Sequence, residues 1–175
     1  FPAAENGHEV HIVGTCLDDK IIDGYLATGK HEKFCRPFPE NVNYHYFKDW
    51  KTVVEGSDFV IGGVSSFGVD WFLEEILIQL DPEMPVLSVT KGLRATDDGS
   101  LLSYPGYWMS ELAKRGIHRD ICAVGGPCTS YELVFKDPTE VAFCGWDNEV
   151  LRMMKQAMQR PYYHISLTND VIGLE

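Results

Sequence analysis

The chain lacks any cysteine or histidine pair at metal-ligand spacing. Its five cysteines (Cys16, Cys35, Cys122, Cys128, Cys144) contain no CxxC motif, so no zinc site is expected. An odd number of scattered cysteines fits free thiols in a reducing compartment rather than a disulfide framework. No apolar run approaches the roughly 20 residues of a membrane span, and no secretory leader pattern is visible. A cytoplasmic location with no membrane partner is therefore expected. Basic residues are scarce: 15 Lys and Arg stand against 26 Asp and Glu, a net charge of −11. Partners that need a basic footprint, nucleic acid and anionic lipid, are not expected. A small anionic substrate stays open, because a local site can be positive on an acidic protein. Internal repeats and low-complexity segments are missing too. The first residue is Phe1 rather than Met, and the natural beginning of the polypeptide is expected to lie upstream.

What is present is an alternation of short apolar strands with helical stretches over 175 residues, 45% of them hydrophobic. This is the βαβ pattern of a parallel sheet in a single soluble domain. Strands are expected at "EVHIVGT" (9–15), near 42–46, at "DFVIGGV" (58–64, buried), "MPVLSVT", "ICAVGGP", "TEVAFCG" and "YYHISLTND". Between them, "DDKIIDGYLATGK" and "DWKTVVEGS" read as helices, as does amphipathic "DNEVLRMMKQAMQ". In "GVDWFLEEILIQL", Val69, Phe72, Leu73, Ile76, Leu77 and Leu80 share one helical face. "SLLSYPGYWMSELAKRG" is expected to carry a helix interrupted by Pro105, with Tyr104, Tyr107 and Trp108 packing in the core or facing a partner. The fold class is α/β, a Rossmann-like, doubly wound, mostly parallel open sheet with helices on both faces.

Ligands of such sheets bind outside the carboxyl ends of the strands. The tips read "VGT" (13–15), "GVSSFG" (63–68), "TKGL" (90–93) and "GGPCTS" (125–130). All carry small, glycine or hydroxyl residues, which let a ligand approach the backbone. βα turns favour the same residues without any ligand, but four such tips in succession favour a site. Lys91 is the one charged residue inside these tips. A lysine after a strand is commonly a solvated surface charge; held by Gly92, its ammonium could instead attract a phosphate or polarise a carbonyl oxygen.

The segments "NGHEVHIVGT", "GVSSFG", "LSVTKGL", "VGGPCTSYELVFKDPTEV" and "TNDVIGLE" resemble, in order and spacing, the NAD(P)-dependent glycerol-3-phosphate dehydrogenases. The resemblance spans almost the whole chain. "TKGL" alone is weak; the ordered set is specific. It implies reversible hydride transfer between NAD(P)H and dihydroxyacetone phosphate, giving sn-glycerol 3-phosphate. By the same resemblance Thr15 meets the adenosine ribose and Phe67 packs on the cofactor. Lys91 contacts substrate and cofactor, Gly126 and Cys128 contact substrate, and the backbone of Ser130 meets the cofactor. Cys128 stands where the family usually has serine, threonine or asparagine, and a thiol is the poorer donor. It reads equally as a small residue filling a turn. No arginine follows the strand tip at Thr15, so NAD is expected as cofactor, with NADP left open.

The family's glycine-rich fingerprint belongs before Phe1, and its general acid/base lysine and helical substrate domain belong beyond Glu175. Residues 1–175 are thus expected to form one NAD(P)-binding domain without its first strand, inactive alone, from a polypeptide that is a homodimer at full length. Two other readings remain: a non-catalytic dinucleotide-binding module, and a related Rossmann reductase acting as ketopantoate reductases do.

Overall fold

The computed structural model describes residues 1–97 and 99–174. They fall into two compact units. The first comprises Phe1–Ser57, Cys128–Thr139 and Gln156–His164; the second comprises Asp58–Pro127, Glu140–Lys155 and Ile165–Glu175.

The first unit opens with one helical turn, α1 (Pro2–Glu5), started by Pro2 and closed at Asn6. Strand β1 (Val10–Val13) pairs in parallel with β2 (Val42–His45), joined by α2 (Asp19–Thr28). α2 ends at Gly29 in the left-handed conformation, which a residue without a Cβ adopts at little cost. α3 (Trp50–Val54) follows β2, and α6 (Ser130–Phe135) belongs to the same unit. Ile22, Val42, Trp50 and Val134 are buried. A polar clamp fixes α1. The Glu5 carboxylate accepts from Tyr162 and pairs with Lys136 at 2.8 Å. Asn6 donates to the carbonyls of Ala157 and Gln159 and accepts from Arg160. Desolvation pushes the Glu5 carboxyl up, but Lys136, Tyr162 and Arg160 together outweigh it and hold the carboxyl below its ordinary range.

The second unit is built on a sheet of order β3-β4-β7-β8-β9. Its strands are β3 (Val60–Gly62), β4 (Val86–Ser88) and β7 (Ile121–Gly125), followed by β8 (Thr139–Cys144) and β9 (Tyr163–Thr168), which belong to this unit for most of their length. β3, β4 and β7 run parallel, whereas β8 is antiparallel to β7. The long helical segment after β3 is α4 (Val69–Phe72) continued as a π turn over Leu73–Leu77. The six positions expected to share its apolar face are all buried. α5 (Tyr104–Lys114) and α7 (Asn148–Met158) supply Trp108, Leu112, Leu151 and Met154 to the core, each fully buried. Burying one such side chain stabilises by about 1.5–3 kcal/mol. α8 (Val171–Leu174) completes the unit.

Three expectations change. The strand at 58–64 is shorter than expected and half of it is open: Ile61 is exposed, because β3 forms the edge of its sheet. Pro105 does not interrupt a helix; it occupies the first turn of α5, where its missing N–H costs nothing, and Ser103 caps that turn by accepting from the Gly106 amide. The hairpin β5 (Leu93–Ala95) and β6 (Leu101–Ser103) carries no strand-like alternation and escapes sequence reading. Trp108 lies in the core, its indole N–H donating to the Val69 carbonyl at 2.9 Å. Tyr107 instead donates to Asp70 under the Arg94 guanidinium. No described helix is long and apolar enough to cross a membrane.

Candidate cofactor and substrate site at the strand tips

Lys91 follows the carboxyl end of β4, and its position is fixed from both sides. Before it, Thr90 is buried and donates its hydroxyl to the Val64 carbonyl at 2.7 Å, while its amide donates to Ser88 Oγ at 3.2 Å. After it, Gly92 has φ of +139°, a conformation that side chains disfavour. The Tyr104 ring lies directly over Gly92: a Cβ placed there would sit 2.7 Å from its Cε2. A rigid turn therefore presents the lysine.

The Lys91 ammonium donates to the Gly126 carbonyl at the carboxyl end of β7, the neighbouring parallel strand. An ammonium carries three donors, so two remain for a ligand. Beside it is a cavity of about 130 Å³ lined by Lys91, Gly92, Val124, Gly125, Gly126 and Leu174. Gly126 has φ of +116° and packs against the Glu140 carbonyl and Val141 Cα, so a side chain fits neither the backbone nor the space. α8 closes the cavity's far wall. Leu174 lies against Gly125, where a Cβ would come within 2.3 Å of Leu174 Cγ, and Val171 packs on Ala123 and Cys144. The "TNDVIGLE" segment thus returns to the strand tips, although its last residue, Glu175, lies outside the described residues. Phe67 sits in the turn after β3 and is 98% exposed, with its ring open to solvent. Cys122, on β7 below the rim, is a buried thiol whose pKa desolvation pushes up to about 12.

Thr15, Cys128 and Ser130 belong to the other unit. At the tip of β1, the Thr15 amide and hydroxyl both donate to Asp18 Oδ2 at 2.7 Å. Two donors on one oxygen orient the carboxylate and leave Oδ1 available as an acceptor. Asp18 was legible only as an acid near the strand tip; its pairing with Thr15 is the signal that marks it. Cys128 Sγ points to the Thr129 carbonyl at 3.6 Å. Ser130 begins α6 behind a capping box in which Thr129 N donates to Glu132 Oε2 and Glu132 N donates to Thr129 Oγ1. Its hydroxyl is exposed, and the helix it opens is six residues long. Of the expected residues, Lys91 and Gly126 meet directly. Tyr104 and Leu174, which shape their surroundings, were not among those expected, because an aromatic twelve residues after Gly92 and a leucine near residue 175 carry no local motif.

Parallel β3, β4 and β7, with helices between them, define a Rossmann-like α/β fold. The family model for the NAD-dependent glycerol-3-phosphate dehydrogenase N-terminus matches residues 2–151, and the chain belongs to that family. It is 28% identical over 174 residues to the NADP(+)-dependent glycerol-3-phosphate dehydrogenase of Archaeoglobus fulgidus, covering 99% of this chain and 50% of the relative. The solved glycerol-3-phosphate dehydrogenase of Coxiella burnetii is similar at a TM-score of 0.80 and 18% identity, over 98% of this chain and 50% of that one. The yeast Saccharomyces cerevisiae enzyme is similar at a TM-score of 0.76 and 16% identity, over 98% and 52% respectively. The chain spans about half the length of the curated relatives it matches.

Proposed function

We propose that this chain is the nucleotide-binding portion of an NAD(P)-dependent glycerol-3-phosphate dehydrogenase, reducing dihydroxyacetone phosphate to sn-glycerol 3-phosphate and the reverse. The observation that carries this reading is the Lys91 ammonium, anchored on the Gly126 carbonyl at the strand rim beside a small cavity. When bound, a nicotinamide cofactor supplies or accepts the hydride. The residues present fit such a group. Asp18, with its carboxylate oriented by Thr15, suits a ribose diol, and the absence of a following arginine favours NAD over NADP. The fully open ring of Phe67 offers a flat face for stacking. The Ser130 backbone is a third contact.

Lys91 supplies positive charge where the ketone oxygen or phosphate of the substrate gathers negative charge. In a confined site such a fixed donor stabilises the developing alkoxide more than water does, because it needs no reorganisation. Gly126 holds that ammonium in place and, lacking a side chain, leaves room for the three-carbon substrate. Cys128 is a weak donor and serves as a small contact surface. The working enzyme is a cytoplasmic homodimer. The acidic balance supports a small-molecule partner rather than nucleic acid or membrane.

The test is NADH oxidation by the full-length polypeptide with dihydroxyacetone phosphate, alongside Lys91→Met. Turnover that falls at least about 100-fold in the variant, with the fold intact, supports the reading. No turnover with this substrate, together with turnover of ketopantoate, overturns it. So do unchanged kinetics in Lys91→Met.

A further inference from the structure

In the first unit, two histidines that sequence spacing keeps apart meet across a strand pair. His11 on β1 and His45 on β2 are 34 positions apart, yet His11 Nδ1 and His45 Nε2 lie 2.9 Å from each other. Their parallel register sets this: His11 is opposite Asn43, and His45 is opposite Val13, so the rings stand on one face of the pair, one diagonal step apart. The ring centroids are 5.0 Å apart at 44°. Both side chains reach solvent; that of His11 is 31% exposed.

We propose that His11 and His45 form a bidentate site for a first-row divalent metal ion of the zinc or nickel kind, which completes its coordination with water. Two imidazole nitrogens bound to one metal at about 2.0–2.1 Å lie roughly 2.9–3.4 Å apart, the separation already present here. The torsion that swings an imidazole is broad and soft, so a small rotation turns both lone pairs on one point. The surroundings prepare the ligands. Glu9 Oε1 is 3.5 Å from His11 Nε2, and the Asn43 amide donates to that same oxygen at 3.1 Å. A carboxylate behind the outer ring nitrogen favours the tautomer with its proton there, leaving Nδ1 bare for a metal. Desolvation and the neighbouring His11 lower the His45 pKa, and Asp49, in the turn after β2, opposes them. Without a metal the two nitrogens share one proton, since neither neutral ring can offer a lone pair to the other's. Metal binding needs only that His45 move its proton to Nδ1, with no net change in charge on the protein.

Among the described residues no group of three or more His, Cys, Asp or Glu could hold a metal, so the bond is a two-ligand chelate with open positions. Such a chelate crosslinks β1 to β2 without closing a structural site. Imidazole pairs suit zinc, nickel and copper and leave magnesium and calcium unbound.

The experiment is isothermal titration of NiCl2 into the protein carrying Cys16→Ser and Cys35→Ser, which removes its two exposed free thiols. One site is expected, weakened tenfold or more by either His11→Gln or His45→Gln and unaffected by His164→Gln. Affinity unchanged by both His11→Gln and His45→Gln, or no one-site binding, overturns the proposal. Because a variant can unfold, imidazole 15N spectra of the unaltered protein with added ZnCl2 give a second reading. The His11 and His45 ring nitrogens should shift together. Shifts confined to other histidines, or none at all, overturn it.

Discussion

Replacing Gly92 by alanine tests whether the turn that presents Lys91 is built as the structure describes. Two penalties separate cleanly. The first is conformational: φ of +139° forces an alanine into backbone space that costs about 1–3 kcal/mol. The second is steric: the new Cβ lies 2.7 Å from Tyr104 Cε2 and 3.1 Å from Cζ, and overpacking of this kind costs about 1–3 kcal/mol. Gly92→Ala should therefore lose about 2–6 kcal/mol in urea unfolding. Tyr104→Ala removes a half-buried ring that packs on Gly92 and lies 6.5 Å from Trp108, for about 1–3 kcal/mol. In the double variant the steric part vanishes while the backbone part remains. The two changes should thus be less damaging together than their sum, by about 1–3 kcal/mol. Additivity to within 0.5 kcal/mol would mean that the ring does not lie on the glycine, and the account of how Lys91 is held would be wrong. Circular dichroism at matched urea concentration shows whether each variant retains the native fold before unfolding.

Other outcomes follow from the same geometry. Arg119 is buried and donates to the carbonyls of Leu80, Asp81 and Met84; Arg119→Met should cost about 2–4 kcal/mol, the lost charged hydrogen bonds being partly offset by relief of guanidinium desolvation. A change under 0.5 kcal/mol in urea unfolding would refute that anchoring role. His45 has its pKa lowered by desolvation and by His11, with Asp49 opposing. Its unfolded value near 6.5 is higher, so the unfolded chain takes up the proton first. Stability from this group is complete above about pH 6.5 and falls as pH drops below it; His45→Gln should flatten the stability profile there, and an unaltered slope would contradict this. Gly125→Ala would drive a methyl to within 2.3 Å of Leu174 Cγ and should displace α8, raising amide exchange over Val171–Leu174 while leaving β4 protected; unchanged exchange in α8 would refute the contact. Lys91→Met should lower kcat/KM of the full-length polypeptide at least about 100-fold with unfolding unchanged.

Much of the architecture was legible because it rests on local periodicity. The apolar stripe from Val69 to Leu80 and the strand at 121–125 announce themselves, since a buried helix face and a buried strand each impose their own period. Where the signal failed, a helix cap had decided in one case and sheet position in the other. Pro105 reads as a breaker until Ser103 is seen capping the turn that Pro105 begins. Ile61 reads as buried until β3 proves to be a sheet edge. The strand-tip glycines and Lys91 were legible as a candidate site because turns that face a ligand demand small residues; the contact of Lys91 with Gly126 was not.

The sequence by itself determined the alternation of strands and helices, the family, and the identity of the residues at the strand tips. The alternation and the strand tips are local patterns, and the family rests on the order of short motifs along almost the whole chain. Only the tertiary structure decided that the Lys91 amine meets the Gly126 carbonyl, that Tyr104 and Leu174 wall the turn and the cavity, and that His11 stands against His45. Each of those pairings joins positions 12 to 49 residues apart, or a side chain to a backbone atom, and depends on strand register and helix packing. No local pattern encodes such contacts, because their energy exists only once the chain has closed the intervening loop.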